Sequence, residues 1–383
     1  LQAPDMDQFS DFTDGIDRTI STTLALVRMM SKMLRDENIG PYIVPIIPDE
    51  ARTFGMDGLF SQAGIYSPDG QNYEPVDAGT ISPYKEAKDG QILQEGICEA
   101  GALASFMAAG TAYSHFQLPM IPIYIFYSIF GMQRVGDMVW ACGDAMTKGF
   151  LIGGTAGRTT LNGEGVQHQD GHSHVLASIV PNMMTYDPAF AYELAVIMQD
   201  GIKRMYQDKE DIFYYITVYN ENYTHPAMPD DSREGILNGM YCFKEASESL
   251  LKKFKGKPIH LLGSGSLMQE VIEAQETLEG EGIPTYIWSV TSYNLLHRDY
   301  RDSKNSEKKS YIESILEDHD GHFLSVSDWV TLLPDSISHL FPGGLTTLGT
   351  DGYGLSETRE ALRDHFGISV KSIVKKAKGL LSN

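Results

Sequence analysis

Short apolar runs alternate with helix-length segments along most of this chain, and that alternation limits the folds open to it. Residues 42–47, closed by Pro48, form an apolar run of the kind a strand buried on both faces requires. Residues 120–127, 149–154 and 212–219 are further runs of this type. Between them, residues 96–113, 134–146 and 188–206 have helical length and composition. A helix is also predicted near the start. There Thr13 and Asp14 are candidate caps, and Ile16, Ile20, Leu24, Val27, Met30 and Leu34 recur at helical spacing. Residues 175–180 read as another strand-like run. The Gly-, Pro-, Asp- and Tyr-rich residues 55–90 read as an excursion outside the core.

The pattern breaks at residues 221–235, which are polar, carry Pro226 and Pro229, and read as a domain linker. It then restarts. Strands are predicted over 259–263, 285–290, 322–326 and 346–349, and helices over 267–278, 357–365 and 370–381. The charged residues 298–309 read as a mobile loop or insertion. Strands alternating with helices build α/β domains. A length of 383 residues suits two of them. The expected fold is therefore two consecutive open, mostly parallel-sheet α/β domains, residues 1–228 and 229–383.

A net charge of −21 argues against nucleic acid or an anionic membrane as the main partner. Basic residues cluster at 252–257 and 371–378, where a solvated face is the simpler reading. Cys98, Cys142 and Cys242 are few, odd in number and far apart, as in a chain from a reducing, cytoplasmic compartment. No signal peptide or membrane-spanning run is evident, since the longest apolar stretch, 118–130, is interrupted by Pro119, Pro122 and Ser128. The chain starts at Leu1, which suggests a processed start or part of a longer polypeptide.

Chemistry concentrates in Gly163-Glu164-Gly165-Val166-Gln167-His168-Gln169-Asp170-Gly171-His172-Ser173-His174. Three histidines and two carboxylates there share a glycine-rich loop after an apolar run, as functional loops do. Zinc is one reading. Proton donors facing an anionic substrate fit better, because no second ligand cluster and no His-Glu-x-x-His pattern is present. Asp49 and Glu50 follow the first strand, where ligands of open α/β sheets bind. They could hold a proton or a polar ligand, or cap a helix and pair with Arg52. Glu95 and Glu99 open the second helix one turn apart. Glu99 falls in an Ala/Gly-rich segment, where desolvation would raise its pKa. Tyr127 and Phe130 lie where a strand leaves its sheet; they are core aromatics or a stacking face for a flat ring. Gly263-Ser264-Gly265-Ser266 reads as a tight strand-to-helix turn rather than a phosphate cradle.

Five motifs in this order carry a resemblance. They are Pro48-Asp49-Glu50-Ala51-Arg52, Gln94-Glu95-Gly96-Ile97-Cys98-Glu99, Tyr124-Ile125-Phe126-Tyr127-Ser128-Ile129-Phe130-Gly131, Thr159 to His174, and Leu348 to Gly354. The chain resembles transketolase-like thiamin diphosphate enzymes, and among them the homodimeric bacterial type of pyruvate dehydrogenase. The resemblance runs from about Asp11 to about Phe366. It implies a pyrimidine-binding domain followed by a transketolase C-terminal-like domain. It further implies that Glu99 bonds the aminopyrimidine of thiamin diphosphate, that Phe130 stacks on it, and that Ile97 wedges the cofactor. Asp49 counts among the cofactor-binding residues. Tyr127, Glu50 and His168 line the pyruvate side, with Glu164 orienting His168. Such enzymes decarboxylate pyruvate and pass the two-carbon unit to a lipoyl group on the acyltransferase component.

One departure accompanies the match. In this family a separate domain holds the diphosphate and Mg²⁺ through a Gly-Asp-Gly motif, which this chain lacks. The expectation is a chain that is inactive alone and works with a diphosphate-binding domain from another chain or missing segment, as a homodimer or heterotetramer. The competing expectations are a non-catalytic assembly or regulatory homologue, and a related transketolase or 2-oxo acid dehydrogenase.

Overall fold

Burial on two faces explains where the strands fall. The computed structural model describes residues 1–48, 51–76, 84–306 and 308–382. Among these, the first half forms a sheet from β1 (Ile43–Ile47), β2 (Leu93–Gln94), β3 (Ile121–Tyr127), β4 (Phe150–Gly154), β5 (Met183–Tyr186) and β6 (Phe213–Thr217). All pair in parallel, in the order β2-β1-β3-β4-β6-β5. Every residue of β4 and β6 is buried, so the sheet is covered on both faces. The helices of this half include α1 (Thr22–Met33), α2 (Glu99–Phe116), α3 (Ser128–Asp144), α4 (Ser173–Ala177) and α5 (Ala191–Ile202).

The second half forms a sheet from β7 (Met240–Lys244), β8 (Ile259–Gly263), β9 (Thr285–Val290), β10 (His322–Val326) and β11 (Leu345–Leu348), in the order β7-β9-β8-β10-β11. Only β7 runs antiparallel, at the edge. Helices α6 (Met268–Gly280), α7 (Tyr293–Ser306), α8 (Arg359–Phe366) and α9 (Val370–Leu380) accompany it. No helix among the described residues is long and apolar enough to cross a membrane.

Several expectations need correction. Ile16–Ile20 is a strand, not the first turns of a helix, and it pairs antiparallel with Tyr223–His225. The helix begins at Thr22, with the Ser21 hydroxyl accepting from Leu24 N at 3.1 Å. Residues 221–235 are thus no free linker, since they supply that partner strand and bury Tyr223, His225 and Ser232. Residues 175–180 are not a strand. Asp170 Oδ1 accepts the amides of His172 and Ser173 and starts the short helix α4, while Leu176 and Ile179 face out. The charged stretch from Arg298 continues α7 to Ser306, because Tyr293, Leu295 and Leu296 bury one face of that helix. The excursion after residue 55 also contributes Met56, Leu59, Phe60 and Ile65 to the core. The helix expected over 188–206 is α5 followed by a π-helical turn, Lys203–Gln207.

Candidate active site

The carboxyl ends of β2, β3 and β4 carry the candidate side chains, and open α/β sheets bind ligands at such ends. Strand β3 ends on Tyr127, and the chain turns at once into α3. This helix starts at Ser128, earlier than residue 134, so Phe130 occupies its first turn. The Tyr127 ring packs against Phe54 at 5.3 Å, Phe130 at 5.7 Å and His168 at 5.0 Å between centroids. His168 also meets Phe130 edge to face at 5.3 Å. His168 reaches this ring cluster from the loop after β4. Glu164 Oε2 lies 3.2 Å from its Nδ1, an ion-pair distance without hydrogen-bond alignment.

Glu99 is the first residue of α2, not an interior one, and Glu95 precedes the helix. Cys98 caps α2, its Sγ accepting from Gly101 N at 3.4 Å, while Glu95 accepts from the Ser105 hydroxyl. The Glu99 side chain is 17% exposed and forms an ion pair. Arg134 Nη1 donates to Glu99 Oε1 at 2.7 Å. The tightly packed glycine of α2 is Gly110, whose added Cβ would lie 2.4 Å from Lys148 O, well away from Glu99 along the helix. The same Arg134 guanidinium sits 3.8 Å from the centre of the Phe130 ring, a cation–π contact. Arg134 had no place in the expected site. Its signal was available, one helical turn beyond Phe130 on α3.

The loop's other histidines go elsewhere. His174 is buried between Tyr215 and Trp329, with Nε2 at 2.9 Å from Thr217 Oγ1; burial lowers its pKa and keeps it neutral. His172 is half-buried, with Nε2 at 2.9 Å from Gln133 Oε1 and Nδ1 at 3.5 Å from Arg158. Among the described residues, no group of three His, Cys, Asp or Glu side chains is placed to hold a metal ion. Asp170 holds the α4 turn by its Oδ1. Gly263-Ser264-Gly265-Ser266 is the tight turn expected, buried throughout, with Ser266 Oγ 2.6 Å from Thr160 Oγ1. Asp49 and Glu50 lie outside the described residues. Ile97 is 72% exposed beside Glu99, and Val166 and Tyr353 are exposed as well. The cluster therefore forms one wall of a site rather than an enclosed pocket.

Residues 1–226 match the family described as the pyruvate dehydrogenase E1 component middle domain. The chain belongs to that family. Residues 239–369 match the transketolase-like C-terminal domain. The pyruvate dehydrogenase E1 component of Pseudomonas aeruginosa is 49% identical over 394 residues, covering 100% of this chain and 44% of the relative. That of Escherichia coli K12 is 47% identical, covering 100% of this chain and 43% of the relative. The chain thus spans somewhat under half the length of these relatives. Transketolase from Campylobacter jejuni superposes with a TM-score of 0.70 at 16% identity, covering 99% of this chain and 49% of that one. A split-gene transketolase, titled an inactive beta4 tetramer, gives 0.63 at 16% identity, covering 95% of this chain and 98% of that one. Both structural likenesses speak to fold alone.

Proposed function

We propose that this chain is the pyrimidine-binding domain, residues 1–228, and the C-terminal domain, residues 229–383, of a thiamin diphosphate-dependent pyruvate dehydrogenase (acetyl-transferring). One observation carries the reading. The Arg134 guanidinium is held by the Phe130 ring on one side and the Glu99 carboxylate on another. A flat group that stacks and donates is therefore already accommodated between these residues, and a protonated aminopyrimidine has the same two handles. The residues present fit that part of the cofactor.

Phe130 would stack on the aminopyrimidine, Glu99 would exchange a proton with its ring nitrogen, and Ile97, exposed beside them, would bear on the cofactor from the open side. The bound cofactor supplies the electron sink for decarboxylation. His168, resting on Tyr127 and Phe130 with Glu164 beside its Nδ1, would hold or deliver a proton at its other ring nitrogen, on the pyruvate side. Tyr127 would orient pyruvate there, and Glu50 and Asp49 are assigned to the substrate and cofactor sides by the motif they share. The diphosphate and Mg²⁺ would be held by a domain on another chain or another segment, and the acetyl unit would pass to a lipoyl acyltransferase. A homodimer or heterotetramer completes the site in this reading. The three unpaired cysteines suit a reducing, cytoplasmic setting.

Glu99→Ala in the assembled enzyme tests the reading. Pyruvate turnover is expected to fall by roughly 10²-fold or more, with folding unchanged. Undiminished turnover would mean that this chain has no catalytic part in the assembly.

A further inference from the structure

The loop that carries His168 belongs to the first half of the chain, yet much of its anchorage comes from the second. Asp328, just beyond β10 and 1% exposed, accepts Thr159 N on one carboxylate oxygen at 2.8 Å. Its other oxygen accepts Thr160 N at 2.9 Å and the Thr160 hydroxyl at 2.7 Å. Arg359 of α8 donates to Thr160 O from Nε at 3.1 Å and Nη2 at 2.8 Å. Glu357 O accepts Gly163 N at 3.2 Å.

Beyond His168 the pattern repeats. Gln169 is buried. Its Oε1 accepts Leu355 N at 2.8 Å, and its Nε2 donates to Leu161 O at 2.6 Å. Val330 N donates to Gly171 O at 2.8 Å. Two glycines permit this closeness. A Cβ on Gly157, at φ +92°, would stand 2.4 Å from Asp328 Oδ2, and one on Gly354 would stand 2.3 Å from Gln169 Oε1. Both feet of the loop, 157–163 and 169–171, are thus clamped, and His168 rides between them.

We propose that Asp328 and Gln169 are positioning residues, holding the loop so that the His168 ring stays on Tyr127 and Phe130. The C-terminal half then governs the chemistry without presenting a side chain to the substrate. This rests on the function proposed above. A buried carboxylate with three donors tolerates no isosteric amide, because Asn offers one acceptor oxygen where three donors converge on two.

The test compares wild type with Asp328→Asn, and with the milder Arg359→Gln should the former fail to fold, in the assembled enzyme. Hydrogen exchange reports the clamp without reference to activity. Amides of residues 157–171 should lose protection while those of α2 keep it. Pyruvate turnover should fall roughly 10²-fold in Asp328→Asn, with the dissociation constant for thiamin diphosphate unchanged. In a His168→Ala background the same substitution should cost less than about two-fold, since a residue acting through His168 has nothing left to position. Unchanged exchange overturns the proposal, and so does a full additive loss on top of His168→Ala. If wild type does not decarboxylate pyruvate, the proposed function falls. The exchange result alone then decides whether the clamp exists.

Discussion

Arg134 shows how one side chain can carry more information than its motif. It pairs with Glu99 at 2.7 Å and lies 3.8 Å from the Phe130 ring centre, so it competes for both groups assigned to the aminopyrimidine. Under the proposed function, cofactor binding would displace it, at the cost of an ion pair and a cation–π contact, each of order 0.5–1 kcal/mol with Arg134 half exposed. Arg134→Met should therefore tighten thiamin diphosphate binding several-fold in calorimetric titration. Unchanged or weakened affinity would show that the guanidinium does not stand in the cofactor's place. Glu99, Phe130 and His168 could be singled out from the sequence because their motifs are local. Arg134 had no place among them, although it lies one turn beyond Phe130, because the ion pair with Glu99 joins two different helices and spacing within one helix does not show it.

Adjacent strands explain a buried histidine that no motif singled out. His260 of β8 faces Tyr286 of β9 and Phe323 of β10 in register, and stacks between them at 4.6 Å and 4.4 Å. Its Nδ1 accepts Trp288 Nε1–H at 3.1 Å. Burial, with His319 nearby, pushes its pKa down to about 3. The folded state thus resists the proton that the unfolded chain takes up near pH 6.5. Stability from this group is present above about pH 6.5 and drains as pH falls toward about 3. His260→Phe should cost roughly 1–3 kcal/mol at neutral pH by orphaning the indole donor. It should also flatten the loss of stability between about pH 6 and 4, as followed by urea unfolding at several pH values. A parallel pH dependence in both proteins would sink this account. The element boundaries were legible where strands are buried on both faces, as in β3, β4 and β8. They were not legible for Ile16–Ile20, whose partner is Tyr223–His225. Strand pairing across such a distance is a tertiary choice, and the helical spacing of Ile16 and Ile20 was incidental to it.

At the scale of the molecule, Glu193 ties the halves together. Fully buried in α5, it accepts Ala189 N at 2.6 Å and Phe190 N at 3.2 Å from its own half. It accepts the Ser289 hydroxyl at 2.6 Å and the Tyr241 hydroxyl at 2.7 Å from the other. Burial raises its pKa against the pull of these donors. Glu193→Ala should destabilise by roughly 3 kcal/mol or more, because several buried donors lose their acceptor at once. Calorimetry should then resolve two transitions in the variant and a single one in wild type. A single transition at an unaltered temperature would refute the tie. The sequence by itself determined the two-sheet α/β plan, most strand positions and the family motifs, because two-sided burial and tight turns impose residue types locally. The tertiary structure alone decided that the 221–235 segment is a strand partner rather than a linker, that Arg134 covers Phe130, and that Asp328 grips the His168 loop. Each of those depends on groups far apart in the chain, whose pairing energy exists only once the two halves have packed.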